Sequence, residues 1–164
     1  MATLKHYRYR IDHDTGFAPN PDRGSCTLCG CKTTTIEAWA QPGSWVIGVG
    51  GNGSGKPNKL IYAMEVEQVL SRAEFKAKYP VKSKYLDNTK KGAANVLFSR
   101  KFYYFGDKAN NVPRNLSQFL IRGRGCKRVP EEAVVKLRQY LSSKCGYGKQ
   151  GKPNNPSKEK RRAC

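Results

Sequence analysis

The chain has 164 residues, enough for one domain with a true core, although its hydrophobic content is a modest 38%. It carries 31 Lys and Arg against 12 Asp and Glu, a net charge of +19, which exceeds any need for solubility and makes a polyanion, nucleic acid above all, the expected partner. No window is apolar enough to span a bilayer and the opening MATLKHYRYR lacks the apolar stretch of a secretory signal, so no membrane partner is expected, and a cytoplasmic setting (nuclear in a eukaryote) in which the six cysteines stay reduced.

In chain order, residues 4–11 alternate, with Tyr7, Tyr9 and Ile11 on one face and a basic set of His6, Arg8 and Arg10 on the other, which predicts a strand. Asp12-His13-Asp14-Thr15-Gly16 ends it. Gly16 to Lys32, GFAPNPDRGSCTLCGCK, is so rich in glycine and proline that it reads as an irregular, ordered loop, neither helix nor ladder strand. Thr33 to Ala40 is β-branched and reads as a strand. Ser44 to Gly50 is an apolar strand, and the tip Gly51 to Asn58 leads into Lys59 to Leu70, the strongest strand signal. Residues 45–50 and 60–69 are expected to form an antiparallel hairpin.

Ser71-Arg72-Ala73-Glu74 is a capping box that starts a short helix running to Tyr79, and Pro80 stops it. Residues 81–95 read as a lysine-rich loop, 96–106 as an aromatic strand and 107–114 as a loop. Pro130-Glu131-Glu132 opens a terminal helix carrying Ala133, Val134, Leu137, Tyr140 and Leu141 at helical spacing. The expected organisation is one α+β domain over residues 1–146, a small bent sheet or barrel with a short helix and a C-terminal helix, followed by a basic tail, 147–164, without fixed structure.

Several constellations carry chemistry. GGNGSGK at residues 50–56 has the outline of a phosphate loop, but Pro57 and a strand follow where such a loop needs Ser or Thr and a helix, so a basic hairpin tip is the expectation. Cys26, Cys29 and Cys31, with Cys126, could hold zinc, yet the second paired knuckle is missing, and small buried residues or one reactive thiol, Cys26, are the alternatives. His13 between Asp12 and Asp14 is a candidate general base. Nucleobases are held by aromatic faces and edge hydrogen bonds, which singles out Phe17 and Trp45 for stacking and Asn20 and Thr27 for the edge. Phosphate contacts are expected from Lys32, Lys56, Lys59, Arg122, Arg124, Lys127 and Arg128. No cofactor motif is present, and no cofactor is expected.

GFAPNP at 16–21, Cys26-Thr27-Leu28 and Cys31-Lys32, followed by PGSWVIG at 42–48, LIYAMEV at 60–66 and VLFS with FYYFG at 96–106, resemble the nucleotide modification associated domain 2 family, also described as DNA base hypermodification proteins. The likeness covers roughly residues 5–145. Asp22 and Arg23 depart from it, standing where members often carry an aromatic residue. The resemblance implies a role in systems that modify nucleic-acid bases, with protein partners from such a system. The strand-turn-strand of 43–66 is also similar to PUA-like readers of modified bases. Together these readings give a nucleic-acid-binding module that accommodates a modified or flipped base; the alternatives are an enzyme that modifies a nucleobase or nucleotide and a zinc-stabilised interaction module.

Overall fold

The computed structural model describes residues 3–30, 36–88 and 95–155. Eleven strands in two sheets and four α-helices are found among them. The strands are β1 (His6–Ile11), β2 (Asn20–Asp22), β3 (Ser25–Leu28), β4 (Trp45–Gly50), β5 (Lys59–Glu65), β6 (Gln68–Leu70), β7 (Val96–Ser99), β8 (Phe102–Tyr104), β9 (Asn110–Asn111), β10 (Lys127–Val129) and β11 (Gly148–Lys149). The helices are α1 (Ile36–Trp39), α2 (Arg72–Lys78), α3 (Ser117–Leu120) and α4 (Glu131–Lys144). The larger sheet runs β10-β1-β4-β5-β8-β11, with β9 also on β5; the smaller runs β2-β3-β7-β6. The larger sheet does not close, so the α+β class holds as an open pair of sheets and not as a barrel.

Alternation along each strand builds the layers. Tyr7, Tyr9 and Ile11 of β1, Val46 of β4, Tyr62 and Met64 of β5 and Phe102 and Tyr104 of β8 share one core cluster with Cys26, Leu28 and Leu97 of the smaller sheet. Their opposite neighbours, Trp45, Ile47, Val49, Ala63 and Tyr103, join the apolar stripe Ala133, Val134, Leu137 and Leu141 of α4 in a second cluster. Beyond the smaller sheet, Phe75 of α2 packs with Val96, Phe98, Cys29 and Leu86. The order of layers is therefore α2, small sheet, large sheet, α4. The predicted hairpin of β4 and β5 is antiparallel, and the Ser71–Glu74 capping box forms with both reciprocal bonds.

The structure corrects several expectations. The stretch 59–70 is two strands, because the chain leaves the large sheet after Glu65 and β6 pairs with β7 in the small one; 96–106 divides in the same way into β7 and β8. Where a strand is expected before Ala40, the described part is helix α1, since tertiary placement overrides β-branched propensity. The part of the Gly16–Lys32 stretch that is described contains a ladder hairpin. Asn20 pairs with Thr27 and Asp22 with Ser25 around Arg23-Gly24, both at positive φ, and Pro21 is tolerated because β2 lies at a sheet edge. Cys31 and Lys32 lie outside the described residues.

Residues 147–155, expected to belong to a structureless tail, are held. β11 pairs in parallel with β8, the Gln150 amide donates to the Tyr104 carbonyl, and the Asp107 amide donates to the Lys152 carbonyl. Backbone bonds that a composition argument does not see fix this segment. Residues 156–164 lie outside the described residues.

Candidate functional site

The basic face of β1 is not solvent-facing as its alternation suggests. His6 and Arg8 are buried and Arg10 is half-buried beneath the connection between α3 and α4. His6 accepts the Trp45 amide on Nδ1 at 3.0 Å, which leaves Nε2 facing the Glu131 carboxylate at the start of α4. Arg8 donates to the carbonyls of Gly125 at 2.9 Å, Gly123 at 3.2 Å and Arg122. Arg10 donates to the carbonyls of Gly123 at 3.2 Å and Ile121, and on its other side to Gly50 O at 3.2 Å and Asn58 Oδ1 at 2.7 Å.

These two arginines thus tie the 121–125 segment and the tip of the β4–β5 hairpin to the end of β1. The tip is an ordered turn: Ser54 Oγ donates to Gly51 O at 2.7 Å and accepts from the Lys56 amide at 3.1 Å. A cleft of about 510 Å³ opens where the three segments meet, lined by Arg10, Asp12, Gly51, Asn52, Asn58 and Gly123 to Gly125.

Neither Arg8 nor Arg10 forms an ion pair with a carboxylate among the described residues. A buried guanidinium whose acceptors are neutral oxygens keeps its full charge, and a low-dielectric surround screens it weakly. Burial pushes the Arg8 guanidinium below its ordinary range, and the neighbouring Arg10 charge adds to the effect. Arg122, Arg124, Lys127 and Arg128 are exposed around this centre, and Lys127 and Arg128 lie on the edge strand β10. Four of the expected phosphate-contacting residues therefore come together. Lys56 and Lys59 are half-buried, at the hairpin tip and the start of β5.

The candidate acid–base triplet divides. Asp12 is exposed and lines the cleft, and His13 is exposed beside the hairpin tip. Asp14 is fully buried, takes hydrogen bonds from Tyr104 and Asn154, and serves the core. Next to it stands a hydroxyl pair, Tyr9 and Tyr62, at 2.7 Å. Cys26 is buried in the same cluster, and desolvation followed by the Asp14 charge pushes its thiol far above the ordinary range. That environment holds the thiol neutral, the reverse of what activates a nucleophile. Cys29 is buried, its thiol pushed up to about 11 mainly by desolvation, and Cys126 is half-buried. Among the described residues no three of His, Cys, Asp and Glu gather closely enough to hold a metal ion.

The expected base contacts do not meet. Phe17 is half-buried against the cluster between the sheets, whereas Trp45 is buried on the other face of the large sheet under α4. Thr27 is buried and Asn20 half-buried in the β2–β3 hairpin. Among the described residues the tryptophan that faces solvent is Trp39, 59% exposed at the end of α1, and Tyr147 is exposed on the C-terminal segment. Trp39 lines a second cleft, of about 470 Å³, with Thr3, Lys5, Ala38, Gln41 and Ser44. Among the described residues no acid lines that cleft. The two clefts lie at opposite ends of β1, roughly 20 Å apart at the rise of a strand, with the basic edge strand β10 beside β1 between them. Sequence reasoning did not single out Arg8, Arg10 or Trp39: alternation marks the first two as polar without showing what covers them, and Trp39 sits in a stretch read as strand.

Among the described residues no helix is long and apolar enough to cross a membrane. The family model for nucleotide modification associated domain 2 matches residues 3–91 and 80–160. No curated protein and no solved structure matches the chain.

Proposed function

We propose a function from one premise: the chain belongs to the nucleotide modification associated domain 2 family. Its role is associated with nucleotide modification, and the finer reading is that it is the part that binds nucleic acid. The observation that carries this reading is that three segments distant in sequence, the end of β1, the β4–β5 tip and residues 123–125, meet at one cleft lined by Arg10 and Arg124, over Arg8 and Arg10, which have no carboxylate partner among the described residues. Phosphates run along Arg122, Arg124, Lys127 and Arg128, and the strand continues beside β10 toward Lys5 and Trp39. There the indole offers a stacking face, and Gln41 offers an amide for a base edge.

Binding of a labelled oligonucleotide, measured over a series of salt concentrations, tests it. Each neutralised phosphate contributes about −0.9 to the slope of log K against log salt on a duplex. The double variant Arg124→Ala, Lys127→Ala is expected to lose close to two such contributions. A slope near zero in the wild type, or an unchanged slope in the variant, rejects this surface as the nucleic-acid interface.

A further inference from the structure

We infer that the exposed side of the Ile121–Gly125 loop is a phosphate-binding nest, formed by the backbone amides of Arg122, Gly123 and Arg124. The argument starts from the carbonyls. Those of Ile121, Arg122 and Gly123, three in succession, are drawn inward by Arg8 and Arg10, and that of Gly125 is drawn inward by Arg8. A trans peptide points its C=O and its N–H in opposite directions. The amides that share those three consecutive peptide units belong to Arg122, Gly123 and Arg124, so they turn outward together. Gly123 (φ 83°) and Gly125 (φ 69°) supply the left-handed backbone that this arrangement needs.

None of the three amides is taken by an acceptor among the described residues. Successive outward N–H groups in such a turn make an anion-binding concavity. Here the concavity also lies over the Arg8 and Arg10 guanidiniums, which have no carboxylate partner among the described residues, and the Lys127 ammonium packs against Gly123. Asp12, the acid of the adjoining cleft, has its Oδ1 turned against Gly51 in the hairpin tip. Three convergent donors in a positive field suit a tetrahedral phosphoryl group, whether the diester of a nucleic-acid chain or the monoester of a free nucleotide. The inference deepens the nucleic-acid reading and rests on it only for the owner of that phosphate.

Amide NMR of the full chain tests it, with inorganic phosphate, a nucleoside 5′-monophosphate and an oligonucleotide with hydroxyl ends as probes. The expected result is that the Arg122, Gly123 and Arg124 amides move first and most with all three probes. If the hydroxyl-ended oligonucleotide saturates them at lower concentration than the monophosphate, the owner is a phosphodiester chain; the reverse order assigns a free nucleotide.

The double variant Arg122→Ala, Arg124→Ala removes both side-chain charges and keeps the three amides. Their shifts are expected to persist at roughly tenfold higher phosphate concentration, the weight of a charge-assisted contact. Loss of those shifts in the folded variant, or wild-type shifts spread evenly over the basic surface, overturns the nest and leaves the nucleic-acid reading standing. Absence of oligonucleotide binding at low salt overturns the nucleic-acid reading, while inorganic phosphate still reports on the nest.

Discussion

The backbone amide and the side-chain amide of Asn154 both donate to Oδ2 of the buried Asp14 at 3.0 Å, joining residues 140 positions apart. Asp14 Oδ1 accepts from Tyr104, and its carbonyl accepts the Asn155 amide at 2.9 Å. A carboxylate without solvent contact needs these donors, because an unsatisfied buried charge costs several kcal/mol. The C-terminal segment is therefore part of the fold around Asp14. Asn154→Ala is expected to destabilise the protein by about 1–2 kcal/mol. Chain termination after Gly146 should cost more, since it also removes β11. Chemical denaturation of both variants checks this; equal stability with the wild type would mean that Asp14 finds its donors elsewhere.

The same centre sets the response to alkali. Desolvation raises the phenols of Tyr9, Tyr62 and Tyr104 and the thiol of Cys26 well above their ordinary values, and brings Cys29 to about 11. The unfolded chain releases these protons near ~8.5 for thiols and ~10 for phenols, so above those values the folded state binds more protons than the unfolded one. The contribution of these groups to stability is fully present below about pH 8 and falls as pH rises through roughly 9–11. Melting temperatures across that range should decline, and Cys26→Ala should flatten the first part of the decline. A profile that stays level to pH 11 would contradict the burial of these groups.

Trp39 is expected to take the stacking role that sequence suggests for Trp45, and Trp45 to serve the core. Trp39→Ala should change stability by less than about 0.5 kcal/mol, as at an exposed site, and weaken single-stranded oligonucleotide binding by roughly 1–3 kcal/mol, the weight of one stacked base. Trp45→Ala should cost about 3–5 kcal/mol of stability by opening a cavity under α4. Parallel denaturation and binding measurements separate the two. A Trp39 variant that binds oligothymidylate as the wild type does would remove Trp39 from the interface.

Arg8 is predicted to be a structural cation. Arg8→Met keeps much of the volume but leaves the Arg122 and Gly125 carbonyls without their donor, at an expected cost of about 2–4 kcal/mol. Hydrogen exchange should then accelerate across residues 121–126 before it does so in α4. Uniform acceleration over the whole chain would show that Arg8 supports the global fold and has no special hold on the loop.

At the β2–β3 turn, Arg23 adopts φ 47°, a left-handed conformation that costs a side chain such as arginine about 1 kcal/mol. Arg23→Asn produces the Asn-Gly pair that this two-residue turn favours and should raise stability by about 0.5–1 kcal/mol. A loss of stability would mean that the Arg23 side chain contributes contacts that outweigh the relief.

Residue order alone determined a good deal. Alternation placed β1 and β5, a short apolar run placed β4, the capping box placed α2, and Pro130 with the apolar stripe that follows placed α4, because each of these signals is local and its physics is complete within a few residues. The family was legible in GFAPNP and in the strands after it, and the charge was legible from composition. What the tertiary structure alone decided was which polar residues the fold covers. In Arg8-Tyr9-Arg10 the arginines look like a solvated face, yet they lie beneath a loop more than 110 residues away. In Asp12-His13-Asp14 nothing local marks the third residue as the buried one. Trp39 and Trp45 are the same residue type six positions apart, one more than half exposed and the other in the core. Those outcomes depend on which distant segment packs over each side chain, and local periodicity carries no record of that.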